Sequence, residues 1–230
     1  MAKGRSESGS KGKKAARKSS EVLGRPSRVS VTKQRVANAT SRAPNRVRII
    51  GGQWKRTPLP VLDLPGLRPT PDRVRETLFN WIEHLVPTLE SVRGLDFFAG
   101  TGALGFELAS RGARHVTLIE NNRRLVDQLS QTKRKLNADQ VEIVPGDALA
   151  AAGRWPDASF EIIFIDPPFD SPLLTPALAA AVRLIAPDGL IYAESGAALE
   201  PTLLQRYRLQ IARSARAGRV HCYLLLPYSA

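Results

Sequence analysis

Cysteine, long apolar runs and clustered histidines are all scarce in this 230-residue chain. The single cysteine, Cys222, cannot form an internal disulfide, which is typical of a reducing compartment. No apolar stretch approaches the roughly 20 residues that cross a bilayer, and the N-terminus lacks the apolar block of a secretory signal. The three histidines are widely spaced and give no metal-ligand pattern. We therefore predict a cytoplasmic protein that has no metal site and no membrane partner.

Positive charge is what the chain has in excess, with 34 Lys and Arg against 21 Asp and Glu and a net charge of +13. Residues 1–45 carry 12 of the basic residues, only two acids and no aromatic residue. A segment of this composition cannot bury enough apolar surface to offset its ordering entropy, so we predict a disordered basic tail over 1–45. A solubilising segment, an arm that attracts RNA phosphates and an organelle transit peptide remain its open interpretations.

The remainder, residues 46–230, has the composition of one folded domain, because 43% of the chain is hydrophobic. We predict a hairpin within 46–66 and an amphipathic helix over 70–86, with Thr70 as the N-cap of the helix. Further along the chain, we predict a turn from Pro187 to Gly189. Strands and helices then alternate over 93–230, and this alternation predicts an α/β fold with a mostly parallel sheet and helices on both faces. The predicted strands cover residues 95–98, 115–119, 141–144, 160–165, 190–193, 209–212 and 220–226.

The ends of the first three strands carry ligand-binding residue types. The first strand leads through Asp96 into a turn that contains Gly100, Gly102 and Gly105, and such glycines let the backbone approach a ligand. That spacing alone is a weak signal, which would also suit a dinucleotide site, and a plain tight turn is the less favoured alternative. Carboxylates follow the next two strands, where they could bind a ribose and an adenine amine, or lie in solvent, or cap a helix. These two residues are Glu120 and Asp147.

The fourth strand ends in Asp166-Pro167-Pro168-Phe169, which is the most discriminating motif in the chain. The prolines lack amide donors and stiffen the turn, so the Asp166 carboxylate and the Pro167 carbonyl can face a cleft together as acceptors. Two acceptors suit the two hydrogens of an exocyclic base amine, and Phe169 offers a flat face for an unstacked base. The alternative is a plain proline turn beside a core phenylalanine.

Together, the four strand-end motifs resemble those of class I S-adenosylmethionine-dependent methyltransferases. Two upstream stretches, residues 48–52 and 67–81, resemble the RsmD family, bacterial enzymes that methylate the N2 amine of one guanine in 16S ribosomal RNA. The resemblance runs from about residue 46 to the C-terminus. It departs from the family at Phe169, where many members carry tyrosine, and this change keeps the stacking face while losing a hydroxyl.

The resemblance implies a Rossmann-like class I methyltransferase fold with a seven-stranded sheet. It also implies S-adenosylmethionine as methyl donor, S-adenosylhomocysteine as product, no metal, and 16S rRNA or a small-subunit assembly intermediate as partner. We expect a monomer. The implied roles are catalytic for Asp166, Pro167 and Phe169, cofactor-binding for Asp96, Phe97, Gly100, Thr101, Gly102, Gly105, Glu120, Asn121, Asp147 and Ala148, and RNA-contacting for Arg48, Arg56, Arg68, Thr70 and Arg73.

Three rival functions remain open at this point. An adenine-N6 methyltransferase of DNA or RNA would use the same Asp166 turn, because the turn accepts either amine. An NAD(P)-dependent dehydrogenase would share the glycine turn and Glu120 but gives no reason for Asp166. A non-enzymatic RNA-binding protein would explain the charge but not the series of motifs at the strand ends.

Overall fold

The computed structural model describes residues 46–67, 69–168 and 171–228, and the predicted tail over 1–45 lies outside them. The strands are β1 (Arg46–Arg48), β2 (Pro58–Pro60), β3 (Arg93–Asp96), β4 (His115–Glu120), β5 (Val141–Pro145), β6 (Phe160–Ile165), β7 (Ile185–Ser195), β8 (Leu209–Ala217) and β9 (Val220–Pro227). The helices are α1 (Asp72–Leu85), α2 (Ala103–Ser110), α3 (Arg123–Leu136), α4 (Ala148–Ala152), α5 (Leu174–Leu184) and α6 (Pro201–Arg206). None of these helices is long and apolar enough to cross a membrane.

Seven strands form one sheet in the order β5-β4-β3-β6-β7-β9-β8. Strands β3 to β7 pair in parallel, and β9 pairs antiparallel with both β7 and β8. The chain builds outward from β3 to β5 and then crosses back to β6, so the direction of winding reverses between β3 and β6. In open α/β sheets, ligands bind at such a reversal, outside the carboxyl ends of the strands.

Two apolar layers cover the faces of the sheet, as the sequence predicts. Strand β6 shows why, because its residues alternate: Ile162 and Phe164 pack into one layer, and Ile163 and Ile165 pack into the other. The first layer also contains buried residues of α1, α2 and α3, and the second contains those of α4 and α5. A strand buried on both faces explains why four consecutive residues of β6, 162–165, are apolar.

The N-terminal hairpin is held to the sheet by a buried carboxylate on α2. Strands β1 and β2 pair antiparallel, but a two-stranded ribbon is only marginally stable alone. Glu107 is fully buried, and its two oxygens accept the amides of Ile50 at 2.6 Å and Gly51 at 2.8 Å. The guanidinium of buried Arg75 lies 3.5 Å from the same carboxylate. This cluster therefore fixes the residues just after β1 against α2.

Several local predictions were wrong. Thr70 does not cap α1, which begins at Asp72 with Pro71 in the N-cap position and no side-chain cap. The Thr70 hydroxyl donates instead to buried Glu194, so a tertiary acceptor replaces the local one. Residues 187–189 do not form a separate turn but lie within β7, between Ile185 and Leu190, which pair with nearly adjacent residues of β6. The short helices α4 and α6 were not predicted.

Candidate functional site

A cavity of about 270 Å³ lies at the reversal point, outside the carboxyl ends of β3 to β6. Its floor and walls come from the residues that follow those four strands, and the segment before α1 closes another side. The sequence-predicted residues that line it are Thr70, Asp96, Phe97, Gly100, Thr101, Glu120, Asn121, Asp147, Ala148, Asp166 and Pro167. The four motifs therefore meet around one space.

Gly102 and Gly105, both predicted to bind cofactor, do not line this cavity. A Cβ on Gly105 would lie 2.0 Å from Cδ2 of Leu118, so this glycine lets α2 pack closely on β4. Gly102 has a φ of +78° at the N-cap of α2, a left-handed conformation that favours glycine. Gly100, with a φ of +54°, does line the cavity. Two of the three glycines thus shape the turn without facing the ligand space.

Glu120 ties the glycine turn to the end of β4. Its Oε2 accepts the Gly100 amide at 2.8 Å, and its Oε1 accepts the Asn122 amide at 2.8 Å. Only 8% of the residue is exposed. A carboxylate has about four lone-pair positions, so each oxygen can still accept a hydrogen bond from the cavity. Two such acceptors on one side chain match the two hydroxyls of a ribose.

Asp147 serves as the N-cap of α4, which was one of its two structural alternatives. Its Oδ1 accepts the amide of Ala150 at 2.8 Å. The residue is nevertheless exposed and lines the cavity, so capping uses one oxygen and leaves the carboxylate accessible from the ligand space.

Asp96 is a buried carboxyl with unused acceptor capacity. The residue is 1% exposed, and within the described part of the chain its Oδ1 has no hydrogen-bond partner. Burial raises the pKa of Asp96 to about 7, and hydrogen bonds from the backbone of Phe98 and Gly105 only partly oppose this shift. A buried, unpaired acceptor in a cavity wall suits a ligand that carries N–H or O–H donors.

Asp166 lies half-buried at the end of β6, beside a second carboxyl. The Thr70 hydroxyl lies 3.3 Å from Asp166 Oδ2 and 2.9 Å from Glu194 Oε1. Burial raises the pKa of Asp166 well above its usual range, and the neighbouring carboxyls of Glu194 and Asp96 raise it further. Pro167 follows in the cavity wall. Phe169 and Arg68 lie outside the described residues.

Glu194 contacts the cavity residue Thr70 from behind, and the sequence reasoning did not identify it. It is 5% exposed and accepts a hydrogen bond from the Tyr192 hydroxyl at 2.8 Å. A usable signal was present, because Glu194 follows the apolar run 190–193 at the carboxyl end of β7. The same strand-end rule had identified Glu120 and Asp166.

The predicted RNA-contacting residues have different surroundings. Arg48 is exposed and pairs with Asp72 at 2.8 Å, while Arg56 and Arg73 are exposed without an acidic partner in the described part of the chain. None of these three arginines lines the cavity. Thr70 is 6% exposed and belongs to the cavity wall, so a nucleic acid could reach it only with a base inserted in the cavity.

The chain is similar in sequence to known proteins. A family model described as Conserved hypothetical protein 95 matches residues 47–226. Ribosomal RNA small subunit methyltransferase D of Escherichia coli strain K12 is 45% identical over 152 residues, which are 65% of this chain and 75% of that protein. The protein of the same name from Haemophilus influenzae is 39% identical over 161 residues, 68% of this chain and 82% of that one. The chain belongs to the RsmD methyltransferase family.

Solved structures agree with this family assignment. The Escherichia coli structure of yhhF is 38% identical with a TM-score of 0.67, and the match covers 80% of this chain and 99% of that one. A Geobacter metallireducens precorrin-6y methyltransferase, at 16% identity and a TM-score of 0.57 over 73% of this chain and 93% of that one, shares the fold alone. The predicted Rossmann-like class I methyltransferase fold is confirmed.

Proposed function

We propose that this protein transfers a methyl group from S-adenosylmethionine to the exocyclic N2 amine of a guanine in 16S rRNA. The name of the relatives, ribosomal RNA small subunit methyltransferase D, supports the RNA substrate. The observation that carries the reaction type is the meeting of Asp166 and Pro167 with Glu120 around one cavity at the reversal point. The enzyme acts as a cytoplasmic monomer on 16S rRNA or on an assembly intermediate of the small subunit.

The cavity residues fit the methyl donor. Glu120 retains acceptor positions for the two ribose hydroxyls, Asp147 accepts from the adenine amine, and the turn over residues 97–101 holds the methionine portion. S-adenosylmethionine supplies a methyl group on a positively charged sulfur, which is already activated for displacement. The residues therefore have to bind and orient rather than provide strong acid-base chemistry, and no metal takes part.

The acceptor amine requires a different set of residues. The guanine leaves its stack at a cost of a few kcal/mol, as in base-flipping enzymes. The Asp166 carboxylate and the Pro167 carbonyl accept its two amine hydrogens, which favours a pyramidal nitrogen with its lone pair free. Phe169, next but one after Pro167, supplies the stacking face. Outside the cavity, Arg48, Arg56 and Arg73 contact phosphates, and Arg68 has the same role.

Two substitutions separate these roles. Asp166→Ala should abolish methyl transfer and leave S-adenosylmethionine affinity within a few-fold, because Asp166 serves the amine. Glu120→Ala should weaken cofactor binding by about tenfold or more, since hydrogen bonds to a charged group contribute roughly 1.5–3 kcal/mol. Calorimetry measures binding, and transfer of labelled methyl groups to small ribosomal subunits lacking the modification measures turnover. Asp188→Ala, an exposed carboxylate within β7, is the matched control and should alter neither quantity.

Undiminished turnover of Asp166→Ala, or its loss of cofactor binding, would overturn the role assignment. Mass spectrometry of the modified nucleoside tests the base directly. N2-methylguanosine supports the proposal, whereas N6-methyladenosine would favour the adenine-methylating rival. Titration with NAD and with S-adenosylmethionine separates the dehydrogenase, and the absence of binding to both would leave the RNA-binding protein as the better reading.

A further inference from the structure

Three side-chain oxygens behind the cavity compete for one hydrogen. Thr70 Oγ1 lies 2.9 Å from Glu194 Oε1 and 3.3 Å from Asp166 Oδ2, yet a hydroxyl carries a single hydrogen. Both contacts can be hydrogen bonds only if one of the two carboxyls is protonated. The Tyr192 hydroxyl also donates to Glu194 Oε1 and so extends this series of contacts.

Within the described part of the chain, neither Asp166 nor Glu194 has an ion-pair partner. Arg75 donates to the Thr70 carbonyl at 3.2 Å, but its guanidinium is engaged by Asp72 and Glu107. Two carboxyls bridged by one hydroxyl, one of them buried and the other half-buried, cannot both ionise without a large cost. The titratable groups that face the pair are Asp96 on β3, Tyr192 on β7, Cys222 on β9 and Arg75 on α1.

We infer that Asp166 and Glu194 share one proton through Thr70, and that Glu194 holds it when the guanine amine is bound. In that arrangement Tyr192 donates to Glu194, protonated Glu194 donates to Thr70, and Thr70 donates to Asp166, so every contact has its own hydrogen. The amine brings two further donors and therefore selects the state in which Asp166 is an anion. Glu194 and Thr70 are positioning residues for Asp166.

This inference rests on the proposed function and completes its proton balance. As the amine nitrogen forms the new C–N bond, the C–S bond breaks and its electron pair stays on sulfur. The nitrogen then carries a positive charge, and one N–H bond breaks as its proton passes to the Asp166 carboxylate. Asp166 can accept that proton because Glu194 has kept the shared one.

The pH dependence of single-turnover methyl transfer tests the shared proton. In the wild type the rate should fall at alkaline pH, where the pair loses its last proton and Thr70 can serve only one carboxylate. Glu194→Gln, whose amide can donate to Thr70 as the protonated acid would, should slow transfer only about threefold at neutral pH and lack this alkaline fall. Thr70→Val should slow transfer by about tenfold, the contribution of one hydrogen bond, and Thr70→Ser should restore it.

Two results would overturn the inference. Superimposable pH profiles of wild type and Glu194→Gln would exclude a shared proton, and a Glu194→Gln rate as low as that of Asp166→Ala at every pH would mean that Glu194 acts as an anion. The infrared difference spectrum of wild type minus Glu194→Gln, taken without RNA, should contain a protonated-carboxyl band. This band tests the shared proton even if the wild type methylates no RNA, which would refute the proposed function instead.

The C-terminal segment, which comprises α6 and the hairpin of β8 and β9, carries a separate signal in its charge. From residue 201 to the C-terminus the chain has five arginines and no acid. All five are exposed, and within the described residues none forms an ion pair, unlike Arg93, Arg111 and Arg183 elsewhere. Strand β8 is the edge of the sheet, where charge also discourages pairing between copies. The five arginines are Arg206, Arg208, Arg213, Arg216 and Arg219.

A groove of about 170 Å³ lies between α1 and the hairpin of β8 and β9. Exposed Arg73 and Arg216 both line it, together with the half-buried ring of Trp81. Guanidinium groups bind phosphates, and an aromatic ring can stack on a base. Tyr192 also lines the groove and reaches Asp166 through Glu194 and Thr70, so the groove adjoins the methyl-transfer cavity.

We infer that this groove and the five arginines of the C-terminal segment bind the RNA strand next to the target guanine, an inference that also rests on the proposed function. Arg216→Glu should weaken binding to small ribosomal subunits by about tenfold or more and reduce the salt dependence of binding by about one phosphate contact. Cofactor affinity should not change. Arg134→Glu is the matched control, because it reverses an exposed charge on α3, near the opposite edge of the sheet.

Filter binding at several salt concentrations measures both effects. Equal losses of affinity for Arg216→Glu and Arg134→Glu would mean that the RNA is held by general electrostatic attraction and not by this groove. An unchanged affinity for Arg216→Glu would also refute the inference. A wild type that binds the subunits through Arg216 but methylates no guanine would instead refute the proposed function.

Discussion

Replacing Glu107 by glutamine should destabilise the fold more than any exposed charge change. The carboxylate is fully buried, and four groups that carry N–H surround it: the amides of Ile50 and Gly51 and the guanidinium groups of Arg75 and Arg111. An amide of the same shape loses the charge and must turn its own N–H₂ toward at least one donor. Breaking a buried ion pair in this way costs about 3–5 kcal/mol.

Urea unfolding followed by circular dichroism measures this loss, which corresponds to a fall in melting temperature on the order of 10 °C. Glu142→Gln is the matched control, because Glu142 is half exposed and its contact with His115, at 3.3 Å, lies at the surface. The loss of this charge should therefore change the free energy of unfolding by no more than about 0.5 kcal/mol. Hydrogen exchange should also accelerate at Ile50 and Gly51, whose amides lose their acceptor. The reasoning fails if both variants unfold at the same urea concentration.

Two further predictions concern the glycine turn. Gly105→Ala should destabilise by about 1–3 kcal/mol, because its Cβ would lie 2.0 Å from Leu118, whereas Gly196→Ala, with nothing within 4 Å, should be nearly neutral in the same titration. Asp96, with a folded pKa of about 7, binds a proton in the native state that the unfolded chain has lost above pH 4, so stability should fall as pH rises from about 4 to 7. Asp96→Asn should lack this slope and gain up to about 4 kcal/mol relative to wild type over that range; a difference that does not vary with pH would contradict it.

The sequence pattern predicted those strands and helices whose own residues show which faces are buried. The predicted strand over 160–165 coincides with β6, since a strand buried on both faces needs successive apolar residues, here 162–165. Strand β8 was predicted to end at residue 212 but continues to Ala217, because pairing with β9 extends it through exposed positions that carry no apolar signal. Helix α4 has only five residues, too few to show a period of 3.6.

The same distinction applies to the site: residues placed by their position at a strand end were predicted, and those placed by distant contacts were not. The rule that ligands meet strand ends identified Asp96, Glu120, Asp147 and Asp166, and all four line the cavity. Gly105 was assigned to the ligand because nothing local shows that Leu118 lies opposite its Cα. Thr70 was assigned as a cap because Thr-Pro is a typical helix start, whereas its acceptors come from residues 96 and 124 positions away in the chain.

The acidity of this sheet edge itself argues for a cationic ligand. Four carboxyl residues lie at the carboxyl ends of four strands of one sheet, namely Asp96, Glu120, Asp166 and Glu194. Within the described residues none of them has an ion-pair partner, although arginines are abundant in this chain. Burial raises the pKa of Asp96, Asp166 and Glu194, so keeping these carboxyls together without cations costs free energy, and such costs persist at functional sites where a ligand relieves them. A donor with a sulfonium and an ammonium group would do so, and binding that favours only the folded state raises its stability by mass action. The cluster is therefore better explained as half of a charge-complementary complex than as part of the folding core.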